Sequence, residues 1–126
     1  MAPFTQIGED EMKAGARDRV ALFFLKFSVM ISNGLPLITA LEHLEREAGG
    51  QDLKQAARKM RETFEKTRKN RKRFKFLWQM MRGYPSLFDR RVVQLVKTGE
   101  ETGTLDLVLR VIPEYLLFGL LSERKK

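Results

Sequence analysis

The chain has 126 residues, a formal charge of +8, 43% apolar residues, no cysteine and one histidine, His43. Its length fits a single domain with a single core. The missing cysteine excludes disulfides, thiolate nucleophiles and cysteine-ligated metal centres, and a lone histidine removes chemistry that needs a histidine pair. The positive balance favours anionic partners: nucleic acid, acidic lipid headgroups or an acidic protein surface.

The opening MAPFTQIGEDEMK lacks a basic start followed by an apolar core, so no secretory signal is read and a cytoplasmic chain is expected. Residues 1–16 mix Gly, Pro and acids without a period and read as a loose lead-in. The run Val20 to Ile31, VALFFLKFSVMI, is then interrupted only by Lys26 and Ser28. At helical spacing Val20, Phe23, Phe24, Phe27, Met30 and Ile31 form one stripe, while Leu22, Leu25 and Val29 carry the apolar surface round the back. The run is shorter than the roughly 20 residues a bilayer requires, so it reads first as a central core helix, the sharper alternative being that its second face meets a partner subunit. Asp18 is its expected cap, and Asn33-Gly34 its end.

Pro36 suits the start of a second helix with Leu37, Leu41, Leu44 and Ala48 on one face, stopped by Gly49-Gly50. His43 reads as a surface or boundary residue of that helix. Asp52 with Gln55 resembles a capping box for a third helix, striped by Leu53, Ala56, Ala57, Met60 and Phe64. Lys66, Arg68, Lys69, Arg71, Lys72, Arg73 and Lys75 follow, a basic run that either prolongs the helix or loops out. Phe74, Leu77, Trp78 and Met81 predict a short fourth helix closed by Gly83-Tyr84-Pro85, with Met80-Met81 as core filler. Asp89 or Ser86 opens a fifth helix with Val92, Leu95 and Val96 inward and Gly99 ending it. Thr104 is placed to cap a sixth, with Asp106 set against its positive dipole end. Pro113 predicts a kink or restart within it. No segment alternates long enough for a sheet, so the expected fold is all-α: a compact bundle of about six mostly antiparallel helices over residues 17–121, with 122–126 as a basic flank.

Two turns carry a family resemblance. Gly34-Leu35-Pro36-Leu37, followed by Ala40-Leu41, resembles the first interhelical turn of the type II secretion F family. Gly99-Glu100-Glu101-Thr102-Gly103-Thr104-Leu105, leading to Val108-Leu109 and Tyr115-Leu116, is similar to its second signature, G-E-x-S/T-G-x-L. Both fall in the family's order, across roughly Arg19 to Leu117. The stretch between Phe64 and Arg82 is longer and more basic than in the family, and Pro113 stands where a helix former is usual.

The resemblance implies a scaffold without catalytic residues or cofactor. Its setting would be a polytopic inner-membrane platform for type IV pilus assembly or type II secretion. It implies two related helical bundles on the cytoplasmic face, of which this would be the first, a homodimer or higher homo-oligomer, and contact with an assembly ATPase and other inner-membrane assembly proteins. The ending SERKK, which suggests a cut chain, would flank a membrane span. The seven cations between residues 66 and 75 are then candidates for lipid or partner contact, or a plain solvated face. Phe23, Phe27, Leu116, Leu117 and Leu120 are candidates for self-association. Glu100 and Glu101 beside glycine could suggest a cation, but backbone geometry explains the turn, and no metal site is expected. The alternative function is a small basic nucleic-acid-binding bundle, although neither helix-turn-helix spacing nor an RNA-binding signature accompanies the charge.

Overall fold

The computed structural model describes residues 9–70 and 76–119, with side chains over 17–68 and 76–119. Those residues form α1 (Glu9–Ser32), α2 (Leu37–Glu47), α3 (Gln51–Asn70), α4 (Leu77–Met81), α5 (Arg90–Thr102) and α6 (Leu105–Phe118), with no strand among them. Each helix packs on its neighbours in sequence, and α1 closes the bundle by packing most extensively on α6. That pair is antiparallel: Ile31 and Ser32 meet Leu105 and Asp106 at one end, and Val20 meets Leu116 at the other.

The core forms where the apolar stripes converge. Val20, Phe23, Phe24 and Phe27 of α1 are buried with Leu41 and Leu44 of α2, Leu53, Ala56, Ala57 and Met60 of α3, Leu77 and Met81 of α4, Val92 and Val96 of α5, and Leu109, Ile112 and Leu116 of α6. Ala21 and Ser28, both small and buried, lie seven residues apart on α1, and Ser28 satisfies its hydroxyl by donating to the Leu25 carbonyl at 2.8 Å. Lys26 keeps its charge outside by reaching to 3.5 Å from the Glu47 carbonyl at the end of α2.

Phe88, absent from the periodic stripes, is the aromatic keystone. Its ring centroid lies 5.9 Å from Phe23 and 5.7 Å from Phe24, the latter edge-to-face. It immediately precedes Asp89, the N-cap of α5, whose Oδ1 accepts from the Val92 N–H at 2.8 Å. An apolar residue just before a cap fixes the angle at which the chain enters the helix, and here that residue also fills the core.

Several local expectations are corrected. Helix α1 starts at Glu9, so Asp18 lies inside it rather than capping it; residues 9–16 contain no proline and mostly ordinary helix formers. Residues 1–8 lie outside the described residues. Asp52 does not build a capping box, because α3 starts at Gln51 and places Asp52 inside its first turn; its carboxylate takes a salt bridge from Arg19 at 3.0 Å, joining α1 to the start of α3, and Arg19 also donates to the Gly49 carbonyl. Thr104 occupies the N-cap position of α6 without a side-chain cap bond, its hydroxyl instead lying 2.7 Å from that of Thr102. Helix α5 passes through Gly99 and ends at Gly103, which adopts the left-handed conformation at φ 74°. Pro113 is buried within α6, which continues past it as one helix to Phe118 without the restart expected there.

Candidate interaction surfaces

The two signature turns sit at the same end of the bundle. Gly34, at φ 89°, ends α1, Leu35 donates its N–H back to the Met30 carbonyl, and Pro36 takes the N-cap position of α2 before Leu37. Beside it, Gly99, Glu100, Gly103 and Leu105 share a surface depression with Ile31 and Ser32 of α1. A Cβ at Gly99 would stand 3.0 Å from the Leu105 Cα and 3.0 Å from Val108 Cγ2, so hydrogen alone lets α5 and α6 approach this closely.

Glu100 explains the acidic position of the second signature. Its Oε2 accepts from the Leu77 N–H at 2.7 Å and its Oε1 from the Trp78 N–H at 2.9 Å. Phe76, the N-cap of α4, has no side-chain acceptor, so a carboxylate from α5 satisfies the first free donors of α4. The opposite arrangement is seen for the Phe76 N–H, which donates to Gln79 Oε1 at 3.0 Å. Burial pushes the Glu100 carboxyl above its ordinary range, against the lowering effect of the Trp78 and Leu77 N–H bonds. Thr102 donates to the Thr98 carbonyl at 2.8 Å, a bond within the last turn of α5.

The basic run begins at this end too. Lys66 and Arg68 are exposed on α3, and Arg68 lines an apolar depression of about 280 Å³ with Pro36, Leu37, Ile38, Phe64 and Thr67. Lys69 lies in α3 beyond the last side chain described, and Arg71, Lys72, Arg73 and Lys75 lie outside the described residues, as does Phe74. Upstream, two α3 arginines are paired: Glu45 of α2 accepts from Arg61 at 2.7 Å and from Arg58 at 3.0 Å, and Arg61 also pairs with Glu65 at 3.0 Å. The Arg61 hydrogen bond holds the Glu45 carboxyl below its usual range.

The proposed self-association residues divide. Phe23 and Phe27 are buried in the core of this chain and Leu116 is nearly so, because they occupy the inward stripe; they cannot meet a partner without opening the bundle. Leu117 is 45% exposed, and Leu120 lies outside the described residues. The outward stripe of α1 is instead Leu22, Leu25 and Val29, each about half exposed, and α6 adds Leu107, Val111 and Phe118. A periodic pattern that is apolar all round cannot tell which arc faces the core; the positions of the other helices decide it.

Among the described residues, no three acidic or histidine side chains are grouped to hold a metal ion. His43 accompanies Arg46, whose Nη2 lies 3.0 Å from His43 Nδ1, at the surface of α2. No described helix is long and apolar enough to cross a membrane.

Comparison with known proteins places a family model, described as type II secretion system (T2SS), protein F, on residues 23–126. No curated protein matches the chain.

Proposed function

We propose a scaffold role from one premise: this chain belongs to the type II secretion system protein F family. Its family makes it a domain of a secretion or pilus platform, a structural component and not a catalyst. In our reading it is the first helical bundle, over residues 17–121, of a polytopic protein of the bacterial inner membrane. It works on the cytoplasmic face in type IV pilus assembly or type II secretion, with residues 122–126 leading to a membrane span. It contacts an assembly ATPase and neighbouring copies of itself.

One observation carries the scaffold reading. Both signature turns are spent on architecture, Gly34 ending α1, Gly99 and Gly103 shaping the α5–α6 turn, and Glu100 capping α4. Residues used in this way build an end of the bundle rather than a reactive centre. That end also carries Lys66 and Arg68, whereas Leu116 lies at the other end, near the start of the described side chains of α1. Lys66 and Arg68 thus lie at the end of the bundle opposite the last described turn of α6, which favours a protein partner over lipid for them. Self-association fits the exposed arc Leu22, Leu25 and Val29.

Two measurements test this reading. These 126 residues hold no cysteine, so Leu25→Cys gives them a single thiol, to be placed in a full-length protein cleared of any cysteine elsewhere. Oxidation in native membranes should yield a crosslinked dimer, whereas Lys59→Cys on α3 should not. The ATPase contact is tested by capture of the assembly ATPase in low salt, with Lys66→Ala/Arg68→Ala reducing it. Crosslinking from Lys59 and not from Leu25 would overturn the self-association surface, and salt-dependent binding of DNA without ATPase capture would favour the nucleic-acid alternative.

A further inference from the structure

The open groove between α4 and α5, of about 470 Å³, is lined by apolar Trp78, Pro85 and Val93 and by the cations Arg82, Arg90 and Lys97. Its geometry follows from helical spacing. Arg82 lies four residues after Trp78, which brings its guanidinium carbon 5.0 Å from the centroid of the indole, and Lys97 of α5 places its ammonium 4.8 Å from the same ring. The ring holds both side chains in place and leaves their charge uncompensated.

None of the three cations has a carboxylate within ion-pair distance among the described residues, where the paired arginines are Arg19, Arg58 and Arg61. The one acid lining the groove, Asp89, is already committed. Its Oδ1 accepts from the Val92 N–H at 2.8 Å and its Oδ2 from the Tyr115 hydroxyl at 2.9 Å. The apolar floor thus lies among three cations without an ion pair, two of them held on the indole, against the single carboxylate of Asp89, which leaves the groove net positive.

We infer that this groove docks an acidic peptide segment of a partner protein, an apolar side chain resting against Pro85 and Val93 while flanking carboxylates meet Arg82, Arg90 and Lys97. The mode is recognition of an acidic motif by clustered cations around an apolar anchor. A nucleic acid fits less well, because two cations already lie over the indole where a base would stack. The groove is distinct from the basic run of residues 66–75, and the inference does not depend on the family assignment.

Trp78 is the only tryptophan in the chain and reports directly on the groove. The probes are a capped nonapeptide alternating glutamate with leucine, its glutamine counterpart, and oligothymidine, each titrated into the intact chain at low salt while Trp78 emission is followed. The glutamate peptide should give a saturable change that the glutamine peptide does not, and added salt should weaken it. Arg90→Gln, at an exposed site away from the indole, should weaken binding about five-fold, as should Lys97→Gln read by calorimetry, the loss expected of one modest ion pair. Lys59→Gln, outside the groove, should leave binding unchanged. Absence of saturable binding, equal loss in Lys59→Gln, or a response to oligothymidine alone would each overturn the inference.

Discussion

Glu100 and Leu77, twenty-three positions apart, are joined by a 2.7 Å hydrogen bond from the Leu77 N–H to the Glu100 carboxylate. With the companion bond from Trp78, it makes α5 the cap of α4, a helix of five residues too short to hold itself. Glu100→Ala should destabilise the chain by about 1–3 kcal/mol, because two partly buried donors lose their acceptor. Thermal denaturation measures this directly.

The same residue predicts a pH effect. Burial raises the Glu100 carboxyl above its ordinary value of 4.5, so between 4.5 and the raised value the folded chain holds a proton that the unfolded chain has released. The contribution from Glu100 is therefore greatest below 4.5 and is lost as pH rises through its folded value. Glu100→Gln should remove this slope from a stability-against-pH series. A slope that survives the substitution would assign it to another group.

Glu45 and Asp52 act in the opposite sense. Arg61 chiefly lowers the first and Arg19 the second, so each contributes stability that is present above its unfolded value and lost as pH falls through its folded value. Arg61→Ala should flatten the acid limb and lower stability at neutral pH by about 1 kcal/mol, since the partners stay partly solvated. Arg61→Lys should recover the charge but not the fork linking Glu45 to Glu65, and so restore only part of the loss.

Gly99 and Gly103 should fail for different reasons. Alanine at Gly99 overpacks the α5–α6 contact at 3.0 Å and should cost about 1–3 kcal/mol. Alanine at Gly103 meets no neighbour within 4 Å but must adopt φ 74°, a cost of about 1–2 kcal/mol. Asparagine, which tolerates that conformation, should rescue position 103 and not position 99; chemical denaturation of the four variants separates steric from backbone effects.

Phe88→Ala should be among the most damaging single changes, at about 3–5 kcal/mol, because Phe88 is 1% exposed and its ring abuts both Phe23 and Phe24. Phe88→Leu should recover much of the loss. Loss of cooperative unfolding in the alanine variant would show that the aromatic cluster also fixes a unique packing.

The sequence by itself determined the helical class, the inward stripes of α2, α3 and α5, the turns at Gly34 and Gly49-Gly50 and the family, and it narrowed the cap of α5 to Asp89 or Ser86, of which the structure uses Asp89. These are written in local spacing, and local spacing is what propensity, capping and 3.6-residue periodicity act upon. Only the tertiary structure decided which arc of the α1 run is buried, since Phe23 and Leu25 are equally apolar and differ only in where α2 and α6 lie. It also decided that Gly99 is a contact and not a terminus, for its role depends on Leu105 and Val108 across a turn. Phe88 left a local trace, an apolar residue before a cap, but no period to announce its partners. The pairings Arg19–Asp52, Glu45–Arg61 and Glu100–Leu77, and the cations around Trp78, join side chains whose proximity depends on how the helices cross. Periodicity sets which face of a helix is apolar; the packing of whole helices sets which polar groups on different helices meet, and that information is spread over the entire chain.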